Sequence, residues 1–186
     1  MCKKFSKMII MTSNEFKRTD NLFSLCGLNC NLCPMFIRKQ CGGCFSDSPC
    51  YLTCPIAPCS VEHGGVEYCF ECGEYPCDKY DGIDLHDSLI SHKNQLKDME
   101  KAKTIGIENY KKEQSAKKNI LDEMLEKYDD GHSDVFFCLA VNLLDLNDLK
   151  EVMNNIADIN GDKNKLLKKE LHSLARRNNI VLKLRK

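Results

Sequence analysis

Cys26-Gly27-Leu28-Asn29-Cys30-Asn31-Leu32-Cys33-Pro34, followed by Cys41-Gly42-Gly43-Cys44, is the stretch that decides how this chain is read. Eleven of the thirteen cysteines fall between Cys26 and Cys77, grouped as Cys26/Cys30/Cys33, Cys41/Cys44, Cys50/Cys54/Cys59 and Cys69/Cys72/Cys77. Thiolates two to four residues apart on turns converge readily on one soft or borderline cation. Cys30/Cys33 and Cys41/Cys44 are two C-x-x-C knuckles separated by seven residues, an arrangement that closes a tetrahedron around zinc. Gly42 and Gly43 leave room for backbone amides to approach the sulfurs and permit positive φ in the turn.

Downstream, Cys69-Phe70-Glu71-Cys72 forms a third knuckle, with Cys77 beyond it and Cys54 and Cys59 before it. A second site is expected from Cys54, Cys59, Cys69, Cys72 and Cys77, although spacing does not choose which four. The candidate ligands are therefore Cys26, Cys30, Cys33, Cys41, Cys44, Cys54, Cys59, Cys69, Cys72 and Cys77, holding two or more Zn2+ ions. Two four-coordinate sites use eight thiolates and leave three of the eleven over, whereas three sites need a twelfth donor. His63 is the one histidine inside the cluster, but a loop histidine beside Gly64-Gly65 is more commonly just solvated. Cys50 and His63 stay open.

Compartment decides between metal and disulfide. After Lys3 and Lys4 the apolar run Met8-Ile9-Ile10-Met11 is far shorter than the core of a secretory signal, and Glu15, Lys17 and Arg18 follow. The chain is expected to be cytoplasmic, where thiols stay reduced and clustered cysteines favour metal ligation. The cysteine count is odd, and Cys138 sits far away in an apolar segment, which makes complete pairing awkward. An iron–sulfur or redox protein using the same cysteines is the alternative. Cys26-x3-Cys30-x2-Cys33 has the spacing of radical S-adenosylmethionine enzymes, but those need a large α/β barrel that the remaining chain does not offer. Thiol redox catalysis wants one C-x-x-C pair at a helix start in a βαβ setting, and no pair here has it.

Composition divides the 186 residues into an N-terminal arm, 1–23, a cysteine-rich metal-binding module, 24–82, and a helical region, 83–186. All five prolines lie between Pro34 and Pro76, so the module should consist of loops and short turns. Beyond it, Leu85, Leu89, Leu96 and Met99 predict a helix ending at Gly106. Ile107, Tyr110, Ile120, Met124, Leu125 and Tyr128 predict a second, closed by Asp129-Asp130-Gly131. Val135 to Val141 is apolar nearly all round, which marks a buried helix carrying Cys138. Asn147 is read as the cap of a helix through Leu149, Val152, Met153, Ile156 and Ile159 that stops at Gly161, and a last helix carries Leu166, Leu167, Leu171 and Leu174. Ile180, Leu182 and Leu184 alternate as in a short edge strand, the other reading being that the end simply trails off, and the first twenty residues read as a frayed arm in which Met8 to Met11 docks on the core at most. The expected fold is mainly α: a small irregular zinc-knuckle module packed against a bundle of about four to five helices.

Taken together, Cys26-Gly27-Leu28-Asn29-Cys30-Asn31-Leu32-Cys33-Pro34, Cys41-Gly42-Gly43-Cys44, Cys54, Cys59 and Cys69-Phe70-Glu71-Cys72-Gly73-Glu74-Tyr75-Pro76-Cys77 resemble a prokaryotic family of cysteine-rich domains of unassigned function. The resemblance covers about residues 24–80 and implies a zinc module, with no substrate attached.

Local charge weighs the partners. Residues 26–80 hold six acidic side chains against three basic ones, and each four-thiolate zinc site adds a further −2, so the module is unsuited to gripping phosphate. Residues 162–186 are the opposite, with nine basic side chains against two acidic, which leaves RNA or DNA association open there; a solvated helix face is the commoner explanation, and no aromatic residue is interleaved to stack bases. The expected partner is a protein. No run of apolar residues approaches the roughly 20 that a spanning helix needs. Asp158 to Asn164 has a calcium-loop look, but Lys163 stands where glycine is required. His132 beside Asp129 and Asp130 has no nucleophile paired with it.

Overall fold

Tyr110, Gln114, Lys117, Leu121, Met124 and Tyr128 recur every three or four residues, and this buried stripe makes a 22-residue helix the spine of the molecule. The computed structural model describes residues 17–45, 48–157 and 161–185. Among them are seven α-helices and no strand: α1 Pro34–Ile37, α2 Ile56–Glu62, α3 Gln95–Ile105, α4 Ile107–Tyr128, α5 Asp134–Leu143, α6 Leu146–Ala157 and α7 Lys163–Arg177. The fold is mainly α. A cysteine-rich N-terminal region of short helices and 3-10 turns packs against a C-terminal bundle, α3 to α7, in which α4 touches each of the other four helices. None of the helices is long and apolar enough to cross a membrane, among the described residues.

The bundle core follows from α5, whose residues Phe137 to Leu143 are all buried, Cys138 included. A helix apolar on every side has to be surrounded. Leu121 and Met124 of α4, Leu149 and Ile156 of α6 and Leu167 and Leu171 of α7 join it in one apolar cluster. One further member comes from outside the bundle. Leu32, between Cys30 and Cys33, is fully buried in this core and carries the first knuckle with it. A second contact area packs Phe23 against Tyr110, the rings tilted at 52° with centroids 4.8 Å apart, with Tyr68, Met99 and Ala102 around them.

Between these apolar anchors runs a buried polar seam. Asn29 donates to Asp98 Oδ2 at 2.8 Å and accepts from the Tyr110 hydroxyl at 3.0 Å. Gln95 donates to the Cys26 carbonyl at 3.0 Å, and Asn31 to the Gln114 carbonyl at 3.3 Å. Asn142 of α5 donates to the Ser91 carbonyl at 3.2 Å. Burial pushes the Asp98 carboxyl up to about 6, against the Lys117 charge and the hydrogen bonds from Asn29 and Tyr110. Burial pulls the Lys117 ammonium down in the same setting, although the Asp98 charge opposes it. The directional bonds fix how the cysteine region sits on the bundle, which the apolar contacts alone do not.

Several expectations are corrected. The first predicted helix does not begin near Leu85: Leu85 and Leu89 are 63% and 41% exposed, and α3 starts only at Gln95. Asp87 is the cause, because its carboxylate takes the Ser91 hydroxyl and the His92 amide, and side chains that capture nearby backbone compete with helix. The same carboxylate is clamped by Arg185 at 2.8 Å, which ties down residues 180–185 as an irregular segment, so of the two readings of this end the strand is not the one formed. Asp145, not Asn147, caps α6, its Oδ1 accepting from the Asn147 amide at 2.8 Å. α6 ends at Ala157, and Ile159 lies outside the described residues. Asp162 caps α7 through the Lys165 amide; the rest of the calcium-like loop, Asp158 to Asn160, lies outside the described residues, as do Met8 to Met11. Residues 17–23 are not frayed: Arg18, Asp20 and Phe23 are buried, and Glu67 accepts from the Thr19 and Asp20 amides.

Two outcomes are expected. Leu32→Ala leaves a cavity in the bundle core and lowers the stability measured by denaturant unfolding by about 2–5 kcal/mol. Asp98 has a folded pKa near 6 against an ordinary 3.8, so the folded state binds its proton more tightly. Its contribution is therefore full below about pH 4 and lost as pH rises through about 6. Asp98→Asn removes that decline, so the variant gains on the wild type between those limits in urea unfolding series.

Candidate metal centre

The turns of the cysteine region deliver the thiols. Cys30 opens the 3-10 turn Cys30–Leu32, and Cys33 precedes α1, whose Pro34 supplies the preset φ of a first helical position. Burial raises the Cys33 thiol, the Met35 and Phe36 amides at the start of α1 oppose this, and the Cys41 thiol pushes the same way as burial. In the second knuckle the Gly43 amide lies 3.4 Å from Cys41 Sγ. Gly43 has φ +92°, and a Cβ there would stand 2.8 Å from the Asn21 carbonyl oxygen, so only glycine makes this turn.

These thiols crowd one another. Burial pushes Cys26 up to about 12; Cys44, Cys54 and Cys69 add to the rise, while a hydrogen bond with Ser24 opposes it. Burial raises Cys30 well above the usual thiol range, helped by Cys44, Cys26, Cys33 and Cys41. Cys50, at the surface, is raised by the cover it has and then by Cys33, Cys41, Cys44 and Cys54. Cys26, Cys30 and Cys50 are thus each raised by others among the seven cysteines from Cys26 to Cys54.

A second neighbourhood forms around α2. Cys59, His63, Cys69, Cys72, Cys77 and Tyr80 border a cavity of about 20 Å³. That volume admits one particle of water size and is far below the roughly 300 Å³ at which small-molecule pockets begin. Burial pushes Cys69 up to about 12, a Tyr80 hydrogen bond opposes it, and Cys77, Cys59 and Cys72 reinforce it. Burial raises Cys59, against the Lys79 charge and together with Cys77, Glu62 and Cys72. His63 Nδ1 stands 3.6 Å from Cys59 Sγ and 3.8 Å from Cys72 Sγ. Its Nε2 is 3.7 Å from Glu74 Oε2. Cys59, Cys69, Cys72 and Cys77 border the cavity, while Cys69 and Cys77 also share an apolar cluster with Cys26, Cys44 and Cys54. Cys138 stays in the bundle core.

Among the described residues, no three His, Cys, Asp or Glu side chains are gathered closely enough to hold an ion as they stand. The surroundings nonetheless suit an anionic thiolate centre. Arg18 has a fully buried side chain; its Nε donates to the Glu67 carbonyl and its Nη2 to the Phe23 carbonyl, each at 3.0 Å. Its Nε also lies 3.7 Å from the Glu67 carboxylate. Burial raises the Cys44 thiol, and the Arg18 guanidinium opposes this by its charge and a hydrogen bond, so a negative charge at Cys44 would be favoured by this cation. Ligation of this kind would release the thiol protons.

Arg18 is the functional residue that the sequence concealed, since it lies in a polar stretch with no period and outside every cysteine spacing. Tyr80 is the other: its hydroxyl is 3.4 Å from the Cys26 carbonyl and bonds the Cys69 thiol, tying the two neighbourhoods together. Near His132, Asp129 and Asp130 accept turn amides and Lys168 pairs with Asp130 at 3.0 Å, which accounts for that cluster as a turn.

Residues 22–82, about a third of the chain, match a protein family described as a protein of unknown function (DUF3795). No curated protein and no solved structure matches the chain. The matched segment runs from the Leu22-Phe23 anchor to Gly82 and contains all eleven clustered cysteines, so the cysteine-rich part of this chain is similar to that uncharacterised family.

Proposed function

We propose that residues 24–82 are a zinc-binding module whose ions are structural and which presents a surface to a protein partner. The observation that carries this reading is the ring of cysteines around an ion-sized cavity beside α2. With no space there for a substrate and a surplus of protein donors, every coordination position can be filled by the chain, whereas catalytic zinc keeps one position for water. The module's own apolar cluster is small, centred on Leu25, Cys26, Ile56, Ala57 and Tyr80. Zinc supplies what that cluster lacks, about 10–16 kcal/mol of apparent binding free energy per structural site in peptides near neutral pH.

For the partner, two features of the surface support a protein. A groove of about 760 Å³ is lined by Cys41, by Phe36 and Ile37 of α1 and by Lys118 and Asp122 of α4. Leu52, on the 3-10 turn between Cys50 and Cys54, is 85% exposed. Both lie next to the cysteine groups, so their shape depends on the ions. At the other end of the chain, part of the basic surplus is already used internally, in Arg185 with Asp87 and Lys168 with Asp130.

Metal analysis of anaerobically purified full-length protein tests the proposal. The expected result is a colourless sample with two or more zinc ions per chain, whose thermal unfolding shifts to lower temperature when a chelator is added. A brown sample with iron and acid-labile sulfide overturns zinc, and a metal-free sample with unchanged unfolding overturns the metal itself.

A further inference from the structure

We infer that His63 is a metal ligand, closing a four-donor site with Cys59, Cys72 and Cys77, while Cys69 serves the neighbouring group of thiols. This rests on the zinc reading above and goes beyond it by naming a ligand that is not a cysteine. Cys59 and His63 are four residues apart across the end of α2, where the His63 amide donates to the Cys59 carbonyl at 3.0 Å, so both side chains leave one face. In a tetrahedral site with Zn–S of about 2.3 Å and Zn–N of about 2.0–2.1 Å, the sulfur-to-nitrogen edge is about 3.5–3.6 Å. His63 Nδ1 already stands 3.6 Å from Cys59 Sγ and 3.8 Å from Cys72 Sγ. Two edges of the tetrahedron are in place.

On the other ring nitrogen, Nε2 faces the Glu74 carboxylate at 3.7 Å, longer than a hydrogen bond but near enough for a small movement of this exposed side chain to make the outer contact common to ligating histidines. Cys77 borders the same cavity and supplies the fourth donor. Cys69 also borders it but is held from behind: its amide donates to the Leu25 carbonyl at 3.0 Å, one residue from Cys26, and Tyr80 bonds its thiol. Released from the α2 site, Cys69 makes eight thiols with the seven from Cys26 to Cys54. Twelve donors then fill three four-coordinate sites with none left over, whereas eleven cysteines alone cannot do so without a shared sulfur.

Long-range 1H–15N spectra of the histidine side chains in the zinc-loaded full chain test this, together with metal counts by native mass spectrometry. The expected result is a metal-bound Nδ1 resonance that His63→Ala removes and chelation returns to the free-imidazole position. Wild type should hold three zinc ions, His63→Ala two, and His63→Cys three. If the wild type holds zinc but its histidine resonances do not respond to chelation, His63 is not a ligand and the zinc reading survives alone. If the wild type holds no metal, both fall. The wild-type spectrum decides even where His63→Ala fails to fold.

Discussion

Thiols occupy the space in which the cysteine-rich region would otherwise need an apolar core, and the remainder of the architecture depends on that substitution. Between Cys26 and Cys77 the longest helix is the seven-residue α2, and the prolines that break the segment leave little regular backbone to bury. Close-packed neutral thiols bring only modest apolar area. Deprotonated, they would repel one another strongly in a buried setting, as their mutually raised titration already indicates. A shared cation reverses the sign of that interaction. Arg18 is the fixed part of the same compensation, a cation that the chain itself places against Cys44.

Rigid attachment to the bundle turns this local chemistry into a property of the whole chain. Leu32 is buried among bundle side chains while the cysteines on either side of it belong to the first thiol group. Asn29 and Asn31 reach α3 and α4 with directional hydrogen bonds from the same few residues. A displacement of the first knuckle would therefore pull on an apolar core and a polar seam together. In the other direction, the bundle pre-positions the knuckle, which leaves less conformational entropy to be lost if its turns are ordered further.

Legibility of the fold followed burial. α4, α5 and α7 were readable because each presents a long apolar stripe, or in α5 an apolar surface on nearly every side, and the glycines Gly106 and Gly131 that follow α3 and α4 have positive φ. Residues 85–94 were misread because Leu85 and Leu89 imitate a stripe, while the deciding atom is the Asp87 carboxylate, whose partner Arg185 lies at the far end of the chain. The knuckles were legible as spacing, since each is a local turn. Which thiols become neighbours was not, because Cys26, Cys54 and Cys69 are brought together by contacts remote in sequence, among them the Cys69 amide on the Leu25 carbonyl. Arg18 and His63 left no periodic trace at all; only their surroundings give them meaning.

Selective alkylation of the native full chain, read residue by residue by mass spectrometry with and without a chelator, tests most directly whether metal–thiolate bonds hold the cysteine region together. Cys138, buried in α5 within the bundle core, is the internal control for global unfolding. The account predicts that the clustered cysteines resist alkylation until the chelator is added and then react as a set, with Cys138 still protected. Rapid alkylation of the clusters in untreated protein, or a pattern that the chelator leaves unchanged, would contradict it.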